Sequence, residues 1–435
     1  MEPISIGFIS LAGVFLLLML GCPVGLAMLI IGVSGFAAIV GMGPALSILE
    51  TATFDVTSNY SFSLIPLFLL MGSLTARAGF SQDLFESARY FSRHWNGGLA
   101  LAAISGSAAF SAVSGSSLAT ATTMTRVAYP EMVKQGYHPK LAAGSLAAGG
   151  TLGIMIPPSI ALMLYALITE QSVGDLFLAG FLPGLLGYAL YLITVTIMVR
   201  RWAPIKEDKV NQRINLLKAL KQLMPMALLF SLIMGGLYSG VFSPTEAAGV
   251  GAALALIFSI IKGLSWQDYY EAAIEAVSVT ATIFLILIGA EALGFLISVS
   301  QISFEMVSLV ERLQLGPWTI IIVIICFYLI LGCFLESLAM ILLTVPIFYP
   351  VVVASGFDPI WFGIIAVVTV ETGLISPPVG MNLYVVKSAA KELKMTDIMA
   401  GVIPFVIADV VRIIILIAFP AISLWLPSVL GGASY

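Results

Sequence analysis

The stretch Gly153-Ile154-Met155-Ile156-Pro157-Pro158 returns 220 residues later as Gly373-Leu374-Ile375-Ser376-Pro377-Pro378, and both copies lie inside long apolar segments. Proline has no N–H to donate and its ring clashes with the preceding turn, so two in succession split a helix into halves with unpaired backbone groups between them. In a bilayer such groups persist only where they face protein or a polar cavity. Matching breaks in the two halves of one chain point to the ion and substrate site of a secondary transporter built from repeats.

Composition sets the class independently of the breaks. Hydrophobic residues make up 60% of the 435 and charged residues 10%, which excludes an ordinary soluble domain and indicates a polytopic membrane protein. The apolar stretch from Ile4 has no basic residue before it and no small-residue cleavage site leading into a soluble domain, so a retained span is expected rather than a signal peptide. The net charge of -4 says nothing about partners, and no nucleic-acid partner is expected. Cys22, Cys326 and Cys333 sit in apolar stretches without metal-ligand spacing, so neither a disulfide framework nor a zinc site is indicated. His94 and His138 fall near helix ends, where a metal or proton-relay role is not expected.

The 220-residue offset extends beyond the proline pairs. Gly136 and Pro139 match Gly356 and Pro359, Tyr129-Pro130 matches Tyr349-Pro350, and Ser117 and Ala119 match Ser337 and Ala339. With a slip of one, Cys22-Pro23 matches Ser243-Pro244 and Pro183 matches Pro404. The chain therefore reads as one duplicated unit, residues 1–205 and 222–426, joined by a polar linker at 206–221 and ending in a tail at 427–435.

The expected architecture is an all-α polytopic membrane protein of two inverted-topology repeats. Apolar runs long enough to cross about 30 Å of hydrocarbon predict ten spans. They lie at 4–20, 23–41, 61–77, 140–169 and 176–200, then 222–240, 244–262, 274–297, 359–386 and 400–425. Two further stretches, 97–130 and 317–350, are interrupted by Ser114-Gly115-Ser116-Ser117 and by Glu336-Ser337. Each is too long for one span and too broken for two, which predicts re-entrant hairpins with tips near the bilayer centre. Amphipathic pieces at 80–94 and 301–314 are expected as connecting arms along the interface.

Lysine and arginine set the orientation. Seven fall between Arg200 and Lys221, three between Arg77 and Arg93, one at Lys262 and three between Lys387 and Lys394. All fourteen share one side if the N-terminus is outside, and that side is then cytoplasmic, with both termini periplasmic. Five spans per repeat, an odd number, invert the second copy, so the first hairpin is expected to open to the cytoplasm and the second to the opposite face.

These residues resemble a known family. Ser-Gly-Ser-Ser-Leu-Ala-Thr-Ala at 114–121, Pro-Glu-Met at 130–132, Gly-Tyr at 136–137 and Gly-Thr-Leu-Gly-Ile-Met-Ile-Pro-Pro-Ser at 150–159 are similar to the large membrane subunit of TRAP transporters. Ser-Pro-Thr-Glu-Ala-Ala at 243–248 and Thr-Gly-Leu-Ile-Ser-Pro-Pro-Val-Gly-Met-Asn-Leu at 372–383 extend the likeness over nearly the whole chain. The resemblance implies sodium-driven uptake of a small organic acid such as a C4-dicarboxylate, keto acid or sugar acid. It also implies an elevator-type fold in the bacterial inner membrane, a small four-helix membrane partner and a soluble periplasmic substrate-binding protein. The chain is too short to hold a fused small subunit, so a separate partner is expected.

Where a helix ends inside the membrane, its last carbonyls carry partial negative charge and suit sodium, while the free N–H groups of the next half-helix suit a carboxylate. One ion is expected among Ser114, Gly115, Ser116 and Ser117 at the first hairpin tip, the hydroxyl of Thr120, and the break running from Thr151 through Gly153 and Pro157 to Ser159. A second is expected among Glu336, Ser337 and the break running from Glu371 through Thr372 and Gly373 to Ser376 and Pro377. Between them, Ser116, Ser117, Ser159 and Asn382 are the expected donors to the substrate. No cofactor beyond the coupling ion is expected.

Other residues carry competing readings. Ser243, Pro244 and Glu246 have capping-box spacing and read as structural. Asp409 and Arg412, three apart on one helix face, read as a mutual ion pair or else as gating groups. Arg126 either snorkels to the cytoplasmic face or meets the substrate carboxylate on its way in. Glu336 and Glu371 are ion ligands or else hydrogen-bonded structural carboxyls. An autonomous carboxylate symporter without a binding protein is the alternative within transport. A membrane enzyme would need an intramembrane histidine or metal cluster that the sequence lacks, and a channel would not need two oppositely facing hairpins.

Overall fold

In the computed structural model, which describes residues 2–202, 215–314 and 316–431, the apolar stretches are helices and no β-strand occurs among the described residues. The first half contains α1 (Pro3–Met19), α2 (Val24–Val40), α3 (Met42–Ser58), α4 (Leu64–Arg77), α5 (Phe80–Ser92), α6 (Gly98–Ser114), α7 (Ser117–Lys134), α8 (Pro139–Met155), α9 (Ile160–Ile168) and α10 (Val173–Arg201). The second contains α11 (Leu216–Tyr238), α12 (Pro244–Lys262), α13 (Trp266–Ser300), α14 (Ile302–Arg312), α15 (Pro317–Gly332), α16 (Ser337–Ala354), α17 (Pro359–Ile375), α18 (Met381–Ala389), α19 (Met395–Ala418) and α20 (Ala421–Leu430). Both ends of α7 and α16 differ by 220, as do both ends of α8 and α17.

Local chemistry explains the ends. Ser243 and Glu246 form the expected capping box at α12, and Pro244 occupies its first turn. Pro139 and Pro359 likewise open α8 and α17, where a missing N–H costs nothing. Among the described residues, eight helical stretches are long and apolar enough to cross a membrane by length and composition, counting α8 with α9, whereas α1, α2, α6, α15, α17 and α20 are apolar but shorter.

Several boundaries differ from the sequence expectation. Helix α3 was not anticipated, because its apolar residues are interleaved with Glu50, Thr51, Thr53 and Asp55; it buries Ala45, Ile48, Ala52 and Val56 on one stripe. The expected span 274–297 is the middle of α13, a 35-residue helix started by a capping box of Ser265 and Asp268. The corresponding part of the first half is broken: the side chain of Asn59 accepts from Ser61 N–H and turns the chain between α3 and α4. At the 220-residue offset the second half has Val279 instead, and the helix continues. Helix α11 begins at Leu216, inside the expected linker 206–221, of which 206–214 lie outside the described residues. The expected span 400–425 divides at Phe419-Pro420, and α20 runs to Leu430 in the expected tail 427–435, whose residues 432–435 lie outside the described residues.

Packing crosses between the halves. Helix α2 lies on α13 and α12 on α4, while α8 lies on α19 and α17 on α10. Small residues allow the backbones to touch, as membrane helix pairs require. A Cβ on Gly289 would fall 2.4 Å from the Gly25 carbonyl oxygen, one on Gly144 would fall 2.1 Å from that of Gly401, and one on Gly401 would fall 2.1 Å from that of Lys140. At one end of the molecule Arg77 meets Glu271 at 2.6 Å and Glu275 at 3.2 Å, Lys262 pairs with Asp83, and Gln222 donates to Glu86 at 2.8 Å. These contacts fasten the end of α4 to α13 and the α5 arm to α11 and α12, and gather basic residues expected on one side; half-exposed as they are, they position more than they stabilise.

The α8–α19 contact gives the first prediction. Gly144→Ala drives a methyl into backbone that cannot yield cheaply, and should lower stability by about 1–3 kcal/mol. Gly249→Ala on α12, where a Cβ meets nothing within 4 Å, should not. Thermal melting of the purified variants in detergent checks this, and equal melting temperatures would contradict the contact.

Candidate functional site

The first hairpin tip is shaped by Gly115, which turns the chain in the left-handed region with φ 58° between the end of α6 and the start of α7. Ser116 caps α7 by accepting from Ala119 N–H at 3.4 Å, and the hydroxyls of Ser114 and Thr120 are hydrogen-bonded at 2.7 Å. Facing this tip, α8 unwinds after Met155 and α9 starts at Ile160, with a cis bond between Pro157 and Pro158 and Ser159 Oγ accepting from Leu162 N–H at 3.2 Å. Tip and break are in direct contact. A Cβ on Gly153 would sit 2.9 Å from the Ser116 carbonyl oxygen and 3.1 Å from Thr120 Oγ1, and one on Gly115 would sit 3.1 Å from the Pro158 carbonyl oxygen.

The second tip, Cys333–Glu336, joins α15 to α16 and rests on the second break in a similar way. Helix α17 ends at Ile375 and α18 starts at Met381, with a cis bond between Pro377 and Pro378 and Gly380 at φ 54°. Gly380 N–H donates to the Cys333 carbonyl at 3.1 Å. Gly332 and Gly373 stand back to back, since a Cβ on Gly373 would fall 2.6 Å from Gly332 Cα. Each tip and break therefore brings together two helix C-termini and two helix N-termini, a set of partial charges of both signs inside the apolar part of the molecule.

Glu371 connects the two assemblies. It lies inside α17, more than a turn before the break, and is 2% exposed. The hydroxyls of Ser117 and Ser337, the first residues of α7 and α16, approach its carboxyl, yet neither carboxylate oxygen closes a hydrogen bond. Asn382 is fully buried with both amide atoms unpartnered, and Ser117 Oγ is unpartnered as well. Groups of this kind are costly unless a ligand, ion or water completes them.

The remaining expected residues divide clearly. The Thr372 hydroxyl donates to Val368 O at 2.8 Å and the Ser376 hydroxyl to Thr372 O at 2.7 Å, so both are used by their own helix. The Thr151 hydroxyl is turned toward Ala148 O at 2.7 Å and Tyr191 at 2.9 Å rather than toward the hairpin tip. Glu336 stands at the N-cap of α16 without a side-chain capping bond, and Arg126 is exposed on α7, over two turns from the tip.

The expected ion pair of Asp409 and Arg412 is long, with 3.6 Å between Nη1 and Oδ1. The main partner of Asp409 is Tyr191, whose hydroxyl donates to Oδ2 at 2.5 Å. Gly187, one turn before Tyr191 on α10, leaves room for the guanidinium, because a Cβ there would meet Arg412 Cζ at 2.6 Å. Tyr191 was missed in the sequence; the spacing of Gly187 and Tyr191 on one helix face opposite a charged pair was the available signal. Tyr191→Phe would strip the hydroxyl from both Thr151 and Asp409, and should lower stability by about 1–3 kcal/mol. A Phe variant that melts at the parental temperature would show that the hydroxyl carries no part of this network.

Residues 11–422 match the family described as tripartite ATP-independent periplasmic transporter, DctM component. The chain belongs to this family. Among curated relatives, this TRAP permease is 36% identical to the C4-dicarboxylate TRAP transporter large permease protein DctM of Pseudomonas aeruginosa over 92% of this chain and 94% of that one. It is 30% identical to the sialic acid TRAP transporter large permease protein SiaM of Vibrio cholerae over 97% and 99%. In fold, the permease resembles the YdaH transporter of Alcanivorax borkumensis, with a TM-score of 0.58 and 14% identity over 88% of each chain. It also resembles MtrF of Neisseria gonorrhoeae, with a TM-score of 0.53 and 13% identity over 86% of this chain and 84% of that one.

Proposed function

We propose that this permease imports a small carboxylate across the bacterial inner membrane with sodium, receiving it from a soluble periplasmic binding protein and working beside a separate small four-helix membrane subunit. The observation that carries the reading is the contact of each hairpin tip with a helix break, at Ser116–Gly153 and Gly332–Gly373, flanked by the unpartnered Asn382 and Glu371. Carbonyl ends of α6, α8, α15 and α17 suit desolvated sodium; Ser116, Ser159 and Asn382 offer donors to a carboxylate. Related permeases are named for C4-dicarboxylate, sialic acid, isethionate and ectoine, and small polar solutes are the shared class.

In this reading the two halves are inverted repeats with both termini periplasmic. The equal offsets of α7 with α16 and of α8 with α17 support the duplication. The clustering of Arg77, Lys218 and Lys262 with Asp83, Glu86 and Glu271 supports one cytoplasmic end. The hairpins then alternate as gates, within an elevator in which the tips and breaks travel as a body.

Uptake by the complex in proteoliposomes should require both loaded binding protein and an inward sodium gradient. Equal uptake in potassium with only a proton gradient would refute the coupling. Cysteines at Ser116 and Glu336 should respond oppositely to inward-locking and outward-locking conditions when labelled with a soluble thiol reagent. Parallel accessibility under every condition would refute alternating hairpins.

A further inference from the structure

We infer that this permease holds one membrane phospholipid, with an acyl chain in the groove between the α5 arm and α10 and its phosphate on Arg200. Two cavities of about 290 and 320 Å³ adjoin there and share Trp95, Leu101 and Leu192, so they form one groove. Tyr188, Leu192, Thr196 and Arg200 follow at every fourth position along one face of α10. Leu101, Ser105 and Ala109 make a similar row on α6, while Leu84 and Phe91 of α5 and Leu223 of α11 complete the walls.

Dimensions and chemistry select the occupant. Arg200 stands at the end of α10, a 29-residue helix long and apolar enough to cross a membrane, so its guanidinium falls beside a headgroup layer. It is exposed and forms no ion pair among the described residues. From Arg200 the row runs twelve residues inward to Tyr188, about 18 Å at 1.5 Å each, against about 15 Å for one leaflet of a 30 Å hydrocarbon core. The groove thus has the depth of a single acyl chain. At its deep end the hydroxyls of Tyr188 and Ser105 hydrogen-bond at 2.8 Å and link α10 to α6.

The other hydroxyls of the walls are also spent on protein. Ser87 donates to the carbonyls of Asp83 and Ala219, Ser92 to those of Ala88 and Gly98, and Thr196 to that of Leu192. Below Arg200 the groove therefore offers a polar solute no free partner, and a hydrocarbon chain loses nothing there. At the rim, Phe91 and Trp95 are 52% and 61% exposed, and aromatic side chains of this kind mark the boundary between hydrocarbon and headgroups. A cationic side chain between helices at that boundary meets a phospholipid phosphate. Because α6 is the first leg of the first hairpin, the acyl chain separates that hairpin from the arm as a spacer that the polypeptide itself does not supply.

The test places a benzophenone amino acid at Leu192 or, as a second probe, at the exposed Ile197, in the permease joined to its small membrane subunit. The complex is reconstituted in phosphatidylglycerol bilayers, returned to detergent, irradiated and mapped by mass spectrometry. Both probes should carry a phosphatidylglycerol adduct, whereas the same label at Ile414, exposed on α19, should lose it in detergent. Arg200→Gln should lower the adduct yield at least threefold, and Arg200→Lys, which keeps the cation, should retain most of it. Adducts to detergent alone overturn the inference, as does a phospholipid adduct indifferent to Arg200→Gln. Attachment to the small subunit, to a second copy of the chain or to residues 203–214 assigns the groove to protein and overturns it too. If one labelled variant fails to assemble, the other decides the matter by itself.

Discussion

Backbone N–H and C=O groups freed where a helix breaks inside hydrocarbon cannot turn to water, and this constraint organises the whole molecule. Each proline pair creates such a break, and each hairpin tip is the surface that covers it. The cover fits only because glycine stands at the contacts: Gly115 and Gly153 at the first, Gly332, Gly373 and Gly380 at the second. One backbone hydrogen bond, from Gly380 N–H to Cys333 O, ties the second tip directly to its break. A side chain at these positions would push apart the surfaces that keep the polar groups from lipid.

The same economy governs the frame around the site. Helices from one half pack on helices of the other through glycine at near-backbone contact, as in Gly25 with Gly289 and Gly144 with Gly401. Part of the polar interior is shared between the halves. Thr151 and Tyr191 come from the first half and Asp409 and Arg412 from the second, and they form one cluster of two hydrogen bonds extended by a long ion pair. The charged groups near the two tips are therefore fixed by interlocked halves.

Much of this was legible in the sequence because the signals are covalent or periodic. The proline pairs locate both breaks, the interrupted apolar runs locate both hairpins, and Ser243 with Glu246 fixes the start of α12. What escaped is tertiary or marginal. Helix α3 was hidden because acidic and hydroxyl residues interrupt its apolar stripe. The partner of Asp409 was taken to be Arg412, its neighbour by spacing, whereas a tyrosine 218 residues away makes the short bond. Glu371 was visible as a buried carboxyl, but its approach to Ser117 depends on how the halves meet, which no local pattern encodes. Family membership agrees with the transporter class read from the breaks.

The uninterrupted α13 has a mechanical consequence. At 1.5 Å per residue its 35 residues make a rod about 52 Å long, against a hydrocarbon core of about 30 Å. It must lean steeply or project well into the headgroup layer, where the exposed Trp266 and Tyr270 of its first turns would sit. The matching part of the first half is hinged at Asn59. One half thus supplies an uninterrupted strut where the other, at the positions matched by the 220-residue offset, supplies a broken one.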